Sequence, residues 1–169
     1  LAMVLSLGIA SATAVILGKV IGENRLDTAR AYGGKFVKLG VISGLFGSAI
    51  VMIARPIVLA TMNLEGEAYT YLGQMMLVLS YYVVAQSFST TMIVGVFRAG
   101  GDTKYGLFVD LLTLWGCSIL FGMIAAFVLD WGVIPVYVII MMDEVLKIPL
   151  VIYRYRTYKW LNNITRQNA

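Results

Sequence analysis

Five long apolar runs alternate with short polar connections along the chain. They span 1–21, 36–62, 69–97, 105–129 and 133–153. Each is about 20 residues or longer, enough to cross some 30 Å of hydrocarbon as a helix. The pattern predicts an all-α integral membrane protein in which five transmembrane helices form one bundle, 1–153, followed by a basic tail, 154–169. The first run is one of a series rather than a lone short segment before a cleavage site, so it does not read as a secretory leader. The chain does not open on Met, and the expectation is that it begins inside a longer protein.

The polar connections differ in charge, and the difference alternates. Lys19, Arg25, Arg30, Lys35 and Lys38 surround the first, Arg98 and Lys104 flank the third, and Arg154, Arg156, Lys159 and Arg166 follow the last run. The second connection, Asn63-Leu-Glu-Gly-Glu67, and the fourth, around Asp130, carry only acids. Loops rich in Lys and Arg stay in the cytoplasm, so the first residue is expected outside and the C-terminus inside. Aromatics fit that orientation, with Trp131 at the outer edge of the fifth run and Tyr153, Tyr155, Tyr158 and Trp160 at its inner edge. A composition of 60% hydrophobic and 13% charged residues, with a mean hydropathy of +0.84, makes the lipid bilayer the main partner. The net charge of +4 then reads as membrane topology, and no nucleic-acid partner is expected.

Helix ends are marked by capping residues. Asp27 is placed to cap the second helix, Gly100 to end the third, Asp102 or Thr103 to cap the fourth, and Pro135 to sit in the first turn of the fifth. Small residues recur every four positions at Ala14, Gly18 and Gly22, at Gly40, Gly44 and Ser48, and at Ser118, Gly122 and Ala126. Such stripes predict close helix packing rather than a ligand site.

Charges inside the runs carry more information, because each costs about 2.5–3.5 kcal/mol to insert at the bilayer centre. Asp143, Glu144 and Lys147 lie near the middle of the fifth run, and both acids can reach the same ammonium at i,i+4 and i,i+3. Asp110 lies in the fourth run at a similar depth, which predicts an Asp110 to Lys147 contact between antiparallel neighbours. The group is either an ion pair that holds the two helices in register or a charge network that takes part in transport. Pro56 and Pro149 free the carbonyls of Met52 and Val145, so both helices can bend there. Arg55 reads first as an interfacial anchor and second as a gate residue.

In the third run, Tyr71, Tyr82, Gln86 and Ser89 share a sector about 60° wide. Aromatic and neutral polar groups suit an organic cation, and they equally suit hydrogen bonds between helices. Other chemistries are excluded. The chain has no His and one Cys, Cys117, so it holds neither a Cys/His metal site nor a His-based triad nor an internal disulfide. Gly100-Gly101-Asp102-Thr103 lacks the Lys-Ser/Thr of a phosphate-binding loop. These residues favour no enzyme chemistry, and an enzyme is not expected.

Three segments resemble one family. Gly95-x-x-Arg98-Ala-Gly100-Gly101-Asp102-Thr103-Lys-Tyr105, followed by Asp110 and Trp115, resembles the junction of the tenth and eleventh helices in the multidrug and toxic compound extrusion (MATE) transporters. Gly18-Lys-Val-Ile-Gly22 with Ala29-Arg30 resembles the end of the eighth helix and the loop after it. Glu144-x-x-Lys147, Arg154 and Lys159-Trp160-Leu-Asn-Asn163 resemble the twelfth helix and tail. The resemblance covers nearly the whole chain as helices eight to twelve of a two-lobe, six-plus-six transporter. It implies a secondary antiporter in the cell membrane that exports cationic small molecules or drugs in exchange for Na⁺ or H⁺ and needs no other cofactor. The N-terminal lobe and seventh helix would be partners of these five helices, which alone are expected to be inactive. Some members place an acid in the tenth helix, where Gln74, Tyr82 and Gln86 stand here. Two alternatives remain: a flippase for lipid-linked oligosaccharides from the same superfamily, whose anionic substrate favours a cavity lined by Arg and Lys, and a membrane scaffold subunit that transports nothing.

Overall fold

A computed structural model describes residues 2–62 and 66–162. Residues 63–65 of the second connection and the tail from 163, with Arg166, lie outside the described residues. The helices are α1 (Ala2–Gly22), α2 (Leu26–Thr61), α3 (Glu67–Phe97), α4 (Thr103–Val128), α5 (Val133–Met141) and α6 (Asp143–Arg156). Helices α1 to α4 are long and apolar enough to cross a membrane, and the described residues contain no strand. The protein is an all-α, multi-pass membrane protein.

Two boundaries differ from the sequence pattern. Helix α2 has 36 residues, about 54 Å, and starts ten residues before the apolar run does. Its first turns are polar, yet they are held by packing: Ala29 is fully buried and Gly33 lies under Tyr155 and Trp160. The first connection therefore shrinks to Glu23, Asn24 and Arg25, with Asn24 in the left-handed region at φ 60°. The fifth run is divided. Helix α5 stops at Met141, Met142 makes a turn that donates its N–H to the Ile139 carbonyl at 3.1 Å, and α6 begins at Asp143. The division falls where the sequence changes from apolar to charged. Asp143 and Glu144 in the first turn of α6 complement the partial positive charge of a helix N-terminus.

Packing is tightest between α2 and α3. A Cβ on Gly44 would lie 2.9 Å from Ser87 Cβ and 3.0 Å from Val84 Cα, and one on Gly40 would meet the Thr91 side chain. The Gly40–Gly44 stripe thus lets two backbones approach closely. Ser87 uses the approach to donate its hydroxyl to the Gly40 carbonyl at 2.8 Å. The stripe on α4 meets α5, where Ser118 donates to the Ile140 carbonyl at 2.8 Å. Gly18 and Gly22 differ, because open space lies where their Cβ atoms would be. Three wide π-helical turns interrupt regular winding, Thr91–Phe97 in α3 and Leu114–Ile119 and Ile124–Val128 in α4. The apolar core sits at the basic end of the bundle, where Leu17, Met92, Val96, Phe97, Val151 and Trp160 are fully buried.

Candidate functional site

The intramembrane charges meet at one ammonium. Lys147 Nζ lies 2.9 Å from Glu144 Oε1, 3.1 Å from Asp110 Oδ1 and 3.3 Å from Asp143 Oδ2. Helical spacing on α6 supplies two of the carboxylates, and the antiparallel course of α4 brings the third to the same depth. Asp143, Glu144 and Lys147 are buried, whereas Asp110 is half-exposed. Three carboxyl groups thus share one ammonium. Glu144 Oε2 is buried without a hydrogen-bond partner.

A cavity of about 280 Å³ opens beside the cluster. Its wall includes Ser89 and Thr90 from α3, Asp110 and Leu114 from α4, and Glu144 and Lys147 from α6. Ser89 is 3% exposed, and its hydroxyl also has no partner. The polar sector of α3 divides here. Ser89 lines the cavity, and the Tyr82 phenol is close enough to Glu144, Asp143 and Lys147 to interact with all three electrostatically. Tyr71 belongs elsewhere, since its hydroxyl donates to Glu67 Oε2 at 3.3 Å one turn away. Gln86 is half-buried and is not part of the cavity wall. Thr90 escaped the sequence reading because it follows Ser89 by about 100° and so falls outside that polar sector, and Leu114 because an apolar residue does not stand out from a packed helix face. Arg55 lies against Gly73 of α3 with its Nε buried and unpaired.

The glycine-rich junction after α3 has a different role. It closes α3 with a Schellman motif, in which Asp102 N–H donates to the Phe97 carbonyl at 2.9 Å and Gly101 N–H to the Arg98 carbonyl at 3.2 Å. Gly101 takes the left-handed conformation at φ 75°, so the glycine needed for its backbone is Gly101 rather than Gly100. Gly100 is needed for space: a Cβ there would overlap the Trp160 carbonyl. Asp102 occupies the cap position of α4 without capping it. Its carboxylate instead accepts two bonds from Arg154, Nε to Oδ2 at 2.6 Å and Nη2 to Oδ1 at 2.9 Å. Asp27 makes no cap either, since Arg25 precedes α2 and Asp27 pairs with Arg30 at 3.5 Å. Arg98 and Thr103 are exposed.

The segment after α6 completes this arrangement. Trp160, expected at a membrane edge, is fully buried, stacked on Tyr155 with ring centroids 5.7 Å apart, and donates its indole N–H to the Tyr155 carbonyl at 3.2 Å. Asn162 N–H donates to the Gly100 carbonyl at 3.2 Å, and Tyr105 donates its hydroxyl to the Leu150 carbonyl at 3.1 Å. Arg154 also lies over the Tyr105 ring, 4.6 Å from its centroid. The bonds from Asp102 hold the Arg154 guanidinium above its ordinary value, and burial raises the Tyr155 phenol.

Among known proteins, a family model described as MatE matches residues 1–124. The probable multidrug resistance protein NorM of Haemophilus ducreyi is 26% identical over 131 residues, which make up 78% of this chain and 27% of that protein. The chain thus spans about a quarter of the length of that curated relative. No solved structure matches.

Proposed function

The chain belongs to the MatE family, and from that premise we propose that it is part of a secondary antiporter that exports organic cations or drugs in exchange for Na⁺ or H⁺. The observation that carries this reading at the chain's own residues is the cluster in which Asp110, Asp143 and Glu144 meet the buried Lys147, three acidic groups about one ammonium. Ionisable groups within a membrane are costly and mark ion or substrate paths by default. An excess of acidic groups favours cationic cargo or a coupling cation. It disfavours the anionic head group of a lipid-linked sugar, because the deep lysine is already surrounded by acids. In this reading the transport path is shared with further helices of the same protein, and the five predicted spans alone do not transport.

The basic end of the bundle, with Arg25, Arg30, Lys104 and Arg154, faces the cytoplasm of a cell that carries the protein in its plasma or inner membrane. In a cysteine-free background of the full-length protein, with Cys117→Ser among the changes, Tyr158→Cys is then labelled by an impermeant reagent from the cytoplasmic side alone. Expression of the full-length gene in cells lacking their own efflux pumps tests the activity. The expected result is export of cationic dyes that stops when the Na⁺ or H⁺ gradient is collapsed. If no cationic dye leaves the cells while lipid-precursor movement is supported, the antiporter reading is wrong.

A further inference from the structure

We propose that the groove between α2 and α3, at the end of the bundle remote from the basic end, holds one glycerophospholipid, with Arg55 binding its phosphate and the apolar wall carrying its acyl chains. The inference stands apart from the efflux reading and needs only that the chain spans a membrane.

Arg55 is a cation without an anion. Its side chain crosses from α2 to α3, where Gly73 makes room for it: a Cβ on Gly73 would lie 3.3 Å from Nη2. No acid among the described residues pairs with Arg55, and its Nε is buried without a hydrogen-bond partner. Glu67, the acid that opens α3, accepts the Tyr71 hydroxyl at 3.3 Å instead. The depth of Arg55 adds a second observation. It stands six residues before the end of α2, about 9 Å in. The apolar run of that helix, 36–62, is about 40 Å long and exceeds the roughly 30 Å hydrocarbon core, so its end projects and Arg55 lies near the hydrocarbon boundary. A guanidinium at that level is costly without a partner and is within reach of a lipid phosphate.

The groove beside Arg55 has the chemistry of an amphiphile. Its volume of about 480 Å³ falls within the roughly 300–1,000 Å³ of small-molecule sites. Arg55 is the one charged residue in its wall, and Tyr69, in the first turn of α3, is the other polar one. Met52, Pro56, Leu59 and Ala60 make the rest apolar. The same stretch of α2 turns outward the exposed side chains of Ile53 and Ile57, which suit contact with acyl chains. Arginine binds phosphate oxygens through a planar fork and sheds water more readily than lysine does, which fits a phosphate held at the edge of hydrocarbon. A free phosphate ester would match the charge and leave the apolar wall uncovered. A lipid without phosphate would cover the wall and leave Arg55 unpaired. A glycerophospholipid does both.

Dioleoylphosphatidylglycerol, dioleoylglycerol and glycerol phosphate separate these contributions, since the first has chains and phosphate, the second only chains and the third only phosphate. Binding of the first lipid molecule to the purified, delipidated full-length protein is followed by native mass spectrometry. Wild type is expected to prefer dioleoylphosphatidylglycerol to dioleoylglycerol by about tenfold, the 1.4 kcal/mol of one hydrogen bond to a charged group. Glycerol phosphate in large excess should not displace the lipid. Arg55→Gln should reduce the preference to about threefold or less. Ala60→Phe, made at an exposed position, should weaken the binding of both lipids by filling the groove. It leaves Arg55 in place, so the test holds if Arg55→Gln lowers the yield. Equal affinities in wild type, a preference that survives Arg55→Gln, or lipid binding untouched by Ala60→Phe would overturn the site, and displacement by glycerol phosphate would overturn a lipid as its occupant. Dye export decides the antiporter reading separately, whichever of these results is found.

Discussion

Gly100 has no room for a side chain, because even a methyl group would occupy the place of the Trp160 carbonyl. Gly100→Ala must therefore move the segment after α6, and it is expected to cost about 3 kcal/mol, the upper end of overpacking penalties. The melting temperature of the full-length protein should fall by several degrees; an unchanged melt would mean that the segment shifts freely. Asp102 and Arg154 form a second test. Both side chains are largely buried, at 9% and 24% exposure, and the contact is bidentate. A double-mutant cycle with Asp102→Ala and Arg154→Ala should return a coupling of about 1–2 kcal/mol, and Arg154→Lys should lose most of it because a point charge cannot copy the fork. This pairing was not legible in the sequence. Asp102 has the position of a helix cap, and nothing in the sequence signals that its partner is Arg154, 52 positions later in another helix. The Asp110 and Lys147 contact was legible, since depth alone aligns charges in adjacent antiparallel helices.

Apolar runs predict helices in lipid well and their ends poorly. Runs three and four gave α3 and α4 to within two residues, because the bilayer requires both length and polarity there. Outside the apolar region that requirement lapses, and α2 gains ten further residues held by packing, with Ala29 in the core beside Leu17, Val20 and Ile21 of α1 and Gly33 against Tyr155 and Trp160. The step at Met142 also eluded periodicity, since the charges at Asp143, Glu144 and Lys147 read as polar positions within one continuous run rather than as the start of a second helix. Close approach of α2 and α3 is testable at Gly44. Gly44→Val is expected to destabilise the protein by about 2 kcal/mol, because its branches would press on Val84 and Ser87. Gly34→Ala should instead stabilise by about 0.5–1 kcal/mol, since Tyr155 Oη at 3.8 Å leaves space for a methyl and alanine favours the helix. Thermal melts with Gly44→Val no less stable than Gly34→Ala would contradict this account of the interface.

Among the described residues, the ion pairs that join different helices lie at two levels, the charge cluster within the apolar region and the junction at the basic end. Lys147→Met would leave three carboxylates facing one another without a counter-charge. Breaking a buried ion pair by removing one member costs about 3–5 kcal/mol, so little folded protein should accumulate in membranes. The exchange Asp110→Lys with Lys147→Asp keeps the total charge and should recover more folded protein than either single change. If the exchanged protein accumulates no better than the singles, Asp110 and Lys147 are not energetically paired. The basic end has a further consequence in time. Trp160 is synthesised 127 residues after Gly33, the position it covers. At about 5–20 residues per second the ribosome needs roughly 6–25 s to travel that distance. During that interval Gly33 and the Gly100 turn lack the cover that Tyr155 and Trp160 give them in the folded protein. Until Trp160 emerges, the nascent chain at this end offers a surface that chaperones and proteases can find, and its burial marks the moment at which biogenesis of this part is complete.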